Sequence, residues 1–84
     1  MEARDIQHRI AQIIIDELKI EDLTAENFNP DLDLIDEMGI DSMDLATIAL
    51  VIRDEFEIEI DEDDYPELTT LGRIAEYVKV RLAA

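Results

Sequence analysis

The residue whose type and setting most suggest covalent chemistry is Ser42, which lies between Asp41 and Asp44 in the stretch GIDSMDL. A serine hydroxyl becomes a nucleophile when a neighbouring base takes its proton, and a third group usually orients that base. The sequence offers one histidine, His8, and no cysteine. It also lacks a G-x-S-x-G turn of the kind that exposes a catalytic serine. We therefore do not expect this chain to be an enzyme that activates Ser42 by itself.

Two acidic segments, 31–33 and 61–63, begin like calcium-binding loops. An EF-hand loop needs glycine at its sixth position and a bidentate glutamate at its twelfth. The sixth positions here hold Asp36 and Pro66, and neither twelfth position holds glutamate. Neither segment is therefore an EF-hand, and no metal site is predicted. Weak binding of divalent cations to the acidic cluster of residues 54–67 is left open, because it would relieve repulsion between like charges.

Net charge is the strongest signal in the composition. The 84 residues include 23 acids and 7 bases, which gives a formal net charge of −16. Such a surface repels nucleic-acid phosphates and anionic lipid head groups, and it favours basic protein partners. High charge also serves solubility whatever the partner. Because 48% of the residues are hydrophobic and recur with clear periods, we expect a folded chain. Because its net charge is strongly negative, we do not expect it to bind nucleic acid.

The length of the chain predicts one small domain over residues 1–84. Its longest apolar run, Ile48–Ile52, is too short to cross a bilayer. No basic stretch followed by an apolar one opens the chain, so no secretory signal is predicted. We expect a monomeric, cytoplasmic protein that does not insert into membranes.

Helical periodicity predicts the first and last helices. From Ala3 to Leu18, isoleucines recur at the spacing of one buried stripe, and His8 lies off that stripe on the polar side. The last helix is predicted to begin near Thr69 or Thr70, either of which can cap it. Its apolar stripe then continues close to the end of the chain.

A second helix is predicted to begin at Asp41 or Ser42 and to extend to Phe56. Asp41 is a good N-cap residue, and Asp44 stands three places later, as in a capping box. Apolar residues fall on more than one side of this helix, so it is either deeply buried or presents a contact face.

The remaining segments predict a long loop and one short helix. Residues 19–41 have no sustained period but carry scattered apolar residues, which we expect to hold the loop against the helices. Residues 57–60 are expected to be an extended link. A short helix is predicted from about 62 to 67, brief or irregular because of Pro66. The fold class is therefore all-α: a small bundle of three longer helices and one short helix, with a long loop between the first two.

Ser42 has two interpretations that spacing alone does not separate. A serine at the start of a helix often serves as a cap residue. The same position, after a long loop, holds the hydroxyl accessible and in a fixed pose. That setting suits covalent modification by a visiting enzyme.

The segment around Ser42 resembles the signature of the acyl carrier proteins. It reads IDEMGIDSMDL over residues 35–45, and its centre is Asp41-Ser42-Met43, an Asp-Ser pair followed by a large apolar residue. The resemblance covers nearly the whole chain. It includes the isoleucine-rich first helix, the acidic stretch after the second helix and the Leu-Thr-Thr sequence before the last helix.

The resemblance implies that a phosphopantetheinyl transferase attaches phosphopantetheine from coenzyme A to Ser42. The arm ends in a thiol that would carry acyl groups as thioesters between enzymes of fatty acid, lipid or related biosynthesis, and this would explain the absent cysteine. It implies acyl-transferring and synthase enzymes with basic docking surfaces as partners. The residues expected at the docking face are Asp41, Met43, Asp44, Ala46, Leu50 and Asp54. Those expected to line a cleft for the acyl chain are Ile48, Ile52, Ile60, Leu68 and Ile74.

Three positions depart from the family pattern. Thr47 and Arg53 stand on the second helix where acids are common, and Tyr65 stands where a small apolar residue is usual. These differences favour a specialised carrier with a narrower or reshaped cleft. One alternative is a carrier of aminoacyl, peptidyl or polyketide groups. Another is an acidic helical adaptor that binds a basic partner through the Met43–Leu50 face, with Ser42 unmodified.

Overall fold

This computed structural model describes residues 2–83, which contain four helices joined by loops. Helix α1 spans Ala3–Leu18, α2 spans Ser42–Phe56, a 3₁₀ helix spans Glu62–Glu67, and α3 spans Leu71–Ala83. Within residues 2–83, the only β-type pairing is an isolated bridge between Asp33 and Thr70. The all-α fold predicted from the sequence, with three longer helices and one short one, is confirmed.

Helix α1 lies at the centre of the core, because it packs against both α2 and α3. Ile10 and Ile14 of α1 are completely buried, and so are Ile48 of α2 and Val78 of α3 in the same cluster. Burying a side chain of this size contributes about 1.5–3 kcal/mol relative to leaving it exposed. Packing of the apolar stripes, more than helix propensity, therefore stabilises these helices.

The loop of residues 19–41 is anchored to the bundle by buried apolar side chains, as its pattern predicts. Phe28, Leu34 and Ile40 are all buried. Leu34 N–H also donates a hydrogen bond to Thr69 O at 2.8 Å, next to the start of α3. The loop therefore packs as part of the fold and ties the region before α2 to the region before α3.

The start of α3 is held by a cap and by a close backbone contact. Of the two candidate threonines, Thr70 is the cap, because its Oγ1 accepts a hydrogen bond from Arg73 N–H at 3.1 Å. Gly72 N–H donates to Pro30 O at 2.9 Å. A Cβ at Gly72 would lie 3.2 Å from that oxygen, so glycine permits the loop to approach this closely.

Residues 57–60, predicted to be an extended link, begin with a residue that is not extended. Glu57 is in the left-handed region (φ 55°), and its N–H donates to Arg53 O, so it ends α2 as a C-cap residue. The 3₁₀ helix begins after Asp61, whose Oδ1 accepts a hydrogen bond from Asp63 N–H at 3.2 Å. It contains Pro66 and buries none of its own residues.

Candidate attachment and docking site

Ser42 is the first residue of α2, and it is exposed. Asp41 precedes it with an extended backbone, and Asp41 Oδ1 accepts a hydrogen bond from Met43 N–H at 2.9 Å. Ser42 Oγ donates to the same oxygen at 3.4 Å, which is a long and weak contact. The backbone at Ser42 is therefore fixed by the helix start, while its hydroxyl stays open to an approaching protein.

Asp44 does not complete the capping box that its spacing predicts. In that motif the N-cap side chain bonds the N–H three residues on, and a Glu or Gln at that position bonds back. Here the Asp41 carboxylate bonds Met43 N–H, and residues 2–83 show no return bond from Asp44 to Asp41 N–H. Aspartate is one methylene shorter than glutamate, which accounts for the missing return bond. The exposed Asp44 carboxylate instead adds negative charge beside Ser42.

The loop before Ser42 is fastened to the start of α3 by backbone hydrogen bonds. Ile40 N–H donates to Leu34 O at 2.9 Å, and Leu34 N–H donates to Thr69 O. Gly39 has a φ of 72°, in the left-handed region that favours glycine, and there the chain turns toward α2. The position of Ser42 is therefore set relative to α3 as well as to its own helix.

The surroundings of Ser42 do not favour self-activation. Its hydroxyl donates to the Asp41 carboxylate at 3.4 Å, beyond the roughly 2.6–3.2 Å reach of a general base. His8 is exposed on α1 and lines a small pocket outside α2. The other residues of that pocket are Arg4, Gln7, Ala25 and Glu26. Among residues 2–83, the hydrogen-bond partners of Ser42 Oγ therefore include no group within general-base range.

The outer side of α2 exposes large apolar side chains. Met43 is 77% exposed and Leu50 is 46% exposed, and the half-buried Ala46 lies between them at helical spacing. The acids predicted for this face are exposed as well; these are Asp41, Asp44 and Asp54. An exposed apolar strip rimmed by charge has the composition of a protein-binding surface.

The two α2 positions that depart from the family pattern have local roles. Thr47 Oγ1 donates a hydrogen bond to Met43 O at 3.1 Å, so its hydroxyl is used within the helix. Arg53 pairs with Asp54 at 3.2 Å, with both side chains well exposed to solvent. This pairing offsets the charge of Asp54 at the far end of the outer side of α2.

The residues predicted to line an acyl cleft are packed core residues in this structure. Ile48, Ile52, Leu68 and Ile74 are 0–2% exposed, and Ile60 is partly buried against the same cluster. An open groove of about 500 Å³ lies elsewhere, between the end of the 3₁₀ helix and α3. Leu68 is the only one of the five predicted cleft residues that lines it.

Sequence analysis missed a polar cluster beside this groove, which we name the Asp64–Tyr77–Arg81 triangle. Tyr77 Oη donates to Asp64 Oδ2 at 2.7 Å. Arg81 Nη2 donates to Tyr77 Oη at 2.7 Å and to Asp64 Oδ2 at 3.2 Å. The Arg81 guanidinium also lies 4.6 Å from the centre of the Tyr77 ring, within cation–π range. Burial raises the pKa of Tyr77, and its hydrogen bond to Asp64 raises it further. The i,i+4 spacing of Tyr77 and Arg81 is a usable sequence signal, whereas the distant Asp64 has none.

A second long-range pair joins α1 to α2. Arg9 donates from Nε and Nη2 to the two carboxylate oxygens of Glu55. This bidentate hydrogen bonding lowers the pKa of Glu55, although partial burial acts in the opposite direction. The pair links α1 to the last turn of α2, the helix that begins with Ser42.

The Ser42 position fits phosphopantetheine because its hydroxyl is exposed, not because a phosphate pocket surrounds it. The start of α2 favours an anion through its N–H groups and helix dipole. Asp41 already occupies Met43 N–H, however, and both Asp41 and Asp44 repel a phosphodiester. If phosphopantetheine is attached here, the groups that bind its phosphate would have to come from the attaching enzyme.

Neither a metal centre nor a membrane span is found in residues 2–83. No group of three or more His, Asp or Glu side chains in that range is arranged to hold a metal ion. Several acids of the 54–67 segment have other partners: Glu55 binds Arg9, and Asp61 caps the 3₁₀ helix. None of the helices in residues 2–83 combines the length and the apolar character needed to cross a membrane.

Comparison with known proteins gives matches over most of the chain. A family model described as the phosphopantetheine attachment site matches residues 8–78. The acyl carrier protein of Syntrophus aciditrophicus (strain SB) is 34% identical over 76 residues, which cover 90% of this chain and 91% of that protein. The acyl carrier protein of Nitratidesulfovibrio vulgaris (strain DSM 19637 / Miyazaki F) is 31% identical over 74 residues, or 88% of this chain and 93% of that protein.

The fold has a matching solved structure as well. The acyl carrier protein from Enterococcus faecalis superposes with a TM-score of 0.76 at 26% identity, covering 96% of this chain and 99% of that one. The residues matched by the family model include the loop before Ser42, the whole of α2 and α3 up to residue 78. The chain therefore belongs to the acyl carrier proteins, the family defined by the phosphopantetheine attachment site.

Proposed function

We propose that this protein carries acyl groups as thioesters on a phosphopantetheine arm attached to Ser42, between enzymes of fatty acid, lipid or related biosynthesis. Family membership supports the attachment, and the acyl carrier relatives support the acyl cargo. The observation that carries the choice of residue is the exposed Ser42 hydroxyl at the start of α2. When bound, the arm supplies the thiol that this cysteine-free chain lacks.

The chain's own contribution to attachment is to present a hydroxyl in a defined place. A phosphopantetheinyl transferase would join Ser42 Oγ to a phosphorus of coenzyme A, release the adenosine bisphosphate half and accept the hydroxyl proton. The Asp41 cap keeps the backbone of the first turn in position during that encounter. The loop hydrogen bonds through Leu34 hold the same turn against the bundle. In this proposal the protein is a substrate and carrier, and its partners are the catalysts.

Docking to those partners would use the outer face of α2. The net charge of −16 attracts basic surfaces and speeds encounter, and the acids nearest Ser42 orient the complex. Met43 and Leu50 would then fill apolar depressions on the partner. Met43→Ala should raise the KM of the transferase for this protein without lowering its melting temperature. Leu82→Ala, which also truncates an exposed apolar residue but on α3, should change neither value; equal effects of the two would argue against this docking face.

The experiment that tests the proposed function is intact-mass analysis after incubation with coenzyme A and a broad-specificity phosphopantetheinyl transferase. The wild-type protein should gain the mass of one phosphopantetheine. Because Ser42 is the only serine in the sequence, Ser42→Ala should remove the whole gain. Thr47→Ala, which deletes another exposed hydroxyl on the same helix, should leave the gain intact.

Circular dichroism of the three proteins separates loss of the attachment residue from loss of the fold. A folded wild-type protein that gains no mass would overturn the proposal. In that case the adaptor interpretation, with Ser42 as a residue of the helix start only, would become the better account. Mass gain in Ser42→Ala would instead move the attachment to another hydroxyl.

A further inference from the structure

Helix α3 differs from the other helices in the sign of its charge. It carries three bases, Arg73, Lys79 and Arg81, against one acid, Glu76. Helices α1 and α2 and the 3₁₀ helix each carry more acids than bases. Three of the seven bases of the whole chain therefore lie on one helix of a protein whose net charge is −16.

Two of the three bases on α3 are open to an incoming carboxylate. Arg73 and Lys79 are exposed, and within residues 2–83 neither forms an ion pair. Arg81 is exposed as well, but it already binds Asp64 and Tyr77. A carboxylate that reaches Arg73 or Lys79 therefore gains a charged partner without displacing one that is already bound.

An apolar surface lies beside these bases. Val80 is 58% exposed and lines the groove between the 3₁₀ helix and α3, together with the half-buried ring of Tyr77. Arg73, Tyr77 and Val80 follow one another at spacings of four and three residues, so they share one face of α3. The groove, of about 500 Å³, leaves room for an apolar side chain against Val80 and Tyr77, with a carboxylate beside it at Arg73.

The charge of the segment that fits this surface follows from the rest of the chain. A basic segment has many other places to bind, because the sequence holds 23 acids, which include those on the outer side of α2 and in residues 54–67. An acidic segment is repelled there and attracted at α3, which makes α3 selective for it. At physiological ionic strength, charges more than about 8 Å away are largely screened, so a docked segment responds mainly to the bases beside it.

We propose that the groove and the outer side of α3 form a second docking surface, which binds an acidic, apolar segment of a partner protein. An apolar side chain of that segment packs against Val80 and Tyr77. Its carboxylates pair with Arg73, and Lys79 adds positive charge on the other side of Val80. The inference goes beyond the proposed function, because none of these contacts involves Ser42 and the charge that is recognised is opposite in sign to that expected for α2.

The test is a titration of the isotope-labelled protein with synthetic amphipathic peptides, followed by amide NMR shifts. The first peptide has leucines along one helical face and glutamates beside them. The second has lysine in place of every glutamate, and the third has serine in place of every leucine. Shifts caused by the glutamate–leucine peptide should concentrate at Arg73, Tyr77 and Val80, whereas the serine peptide should cause much smaller shifts. The lysine peptide should instead shift residues of α2 and of the 54–67 segment. No response to the glutamate–leucine peptide, or a lysine peptide that prefers the groove, would overturn the proposal.

Two pairs of matched variants separate the charge from the apolar contact. Arg73→Glu should weaken binding of the glutamate–leucine peptide roughly fivefold or more, whereas Arg4→Glu, the same change at an exposed residue of α1, should alter it by less than about twofold. Val80→Ser should weaken binding about tenfold, because apolar burial is lost. Leu82→Ser, at an exposed apolar residue of α3 that does not line the groove, should have little effect. Equal losses within either pair would contradict the proposed contacts.

A Ser42→Ala variant keeps this inference separate from the carrier function. It should bind the glutamate–leucine peptide as the wild-type protein does, even though it accepts no phosphopantetheine. Shifts at Arg73 and Val80 that depend on protein concentration without any peptide would assign the groove to a second copy of the chain. Broadening of the same amides by vesicles of anionic lipid, without a response to the peptide, would assign it to a membrane surface. Either outcome would overturn the acidic protein segment as the occupant.

Discussion

Helix α2 and the 3₁₀ helix follow each other in the chain, and both are acidic, but they are attached to the core in different ways. Helix α2 buries four residues, including Ile48 and Ile52, whereas the 3₁₀ helix buries none of its own. The latter is held by Leu68 just after its end and by the contact of Asp64 with Tyr77. We therefore expect α2 to hold Ser42 firmly and the 3₁₀ helix to shift at a lower free-energy cost.

The largest effect expected from this comparison comes from truncating the buried face of α2. Ile52→Ala should lower the free energy of unfolding by about 2–5 kcal/mol, because it removes apolar burial and leaves a cavity. Glu62→Ala, in the exposed first turn of the 3₁₀ helix, should stay within about 0.5 kcal/mol of wild type. Urea denaturation at neutral pH measures both. Similar losses in the two variants would mean that the 3₁₀ helix is as firmly attached as α2.

The cap of α2 should contribute a smaller amount. Asp41→Ala removes the carboxylate that accepts the Met43 N–H hydrogen bond and should cost about 0.5–2 kcal/mol of stability. Asp41→Asn keeps an acceptor oxygen in place and removes only the charge, so its melting temperature should be close to that of the wild-type protein. If Asn proved as destabilising as Ala, the negative charge at the helix start would matter more than the hydrogen bond.

The polar attachment of the 3₁₀ helix is tested by Tyr77→Phe, which removes the hydroxyl of the triangle. Loss of this hydroxyl should lower the free energy of unfolding by about 0.5–1.5 kcal/mol. Hydrogen exchange should accelerate at Asp64 N–H in the 3₁₀ helix and at Leu68 N–H just after it, and much less at Ile52 N–H of α2. Uniform acceleration across the chain would indicate that the triangle stabilises the whole fold and not this one element.

The same variant has a distinct alkaline behaviour. Because burial and the Asp64 hydrogen bond raise the pKa of folded Tyr77, the hydroxyl's contribution is fully present below the ordinary tyrosine pKa. It is lost as the pH rises through the raised pKa of the folded protein. The stability difference between wild type and Tyr77→Phe should therefore shrink above that pH, as urea denaturation at neutral and alkaline pH would show.

The sequence alone was sufficient for the features that depend on local pattern. The isoleucine period predicted α1 with both ends correct, and the Asp-Ser pair predicted the start of α2 within one residue. Pro66 predicted a short, irregular helix, found as the 3₁₀ helix. These elements follow from side-chain spacing and capping, which act over a few residues and can be read directly.

Features that depend on distant side chains could not be predicted in the same way. The pairing of Asp64 with Tyr77 joins residues 13 apart, and that of Arg9 with Glu55 joins residues 46 apart. No periodic pattern relates such positions, because tertiary packing alone brings them together. The acyl cleft stays a prediction for the same reason: Ile48 and Ile74 have the same sequence pattern whether they line a cleft or fill a core, and both are buried in this structure.

The smallest effect concerns the Arg9–Glu55 pair, which also joins α2 to the core but from the solvent side. Its side chains are 47% and 31% exposed, so a double-mutant cycle with Arg9→Gln and Glu55→Gln should give a coupling of only about 0.2–1 kcal/mol. Because Arg9 lowers the pKa of folded Glu55, the coupling should be present at neutral pH and lost as the pH falls through that lowered pKa. A coupling unchanged in acid would require a contact other than the ion pair. A coupling as large as the loss expected for Ile52→Ala would contradict the view that buried isoleucines, and not surface charges, hold α2 in place.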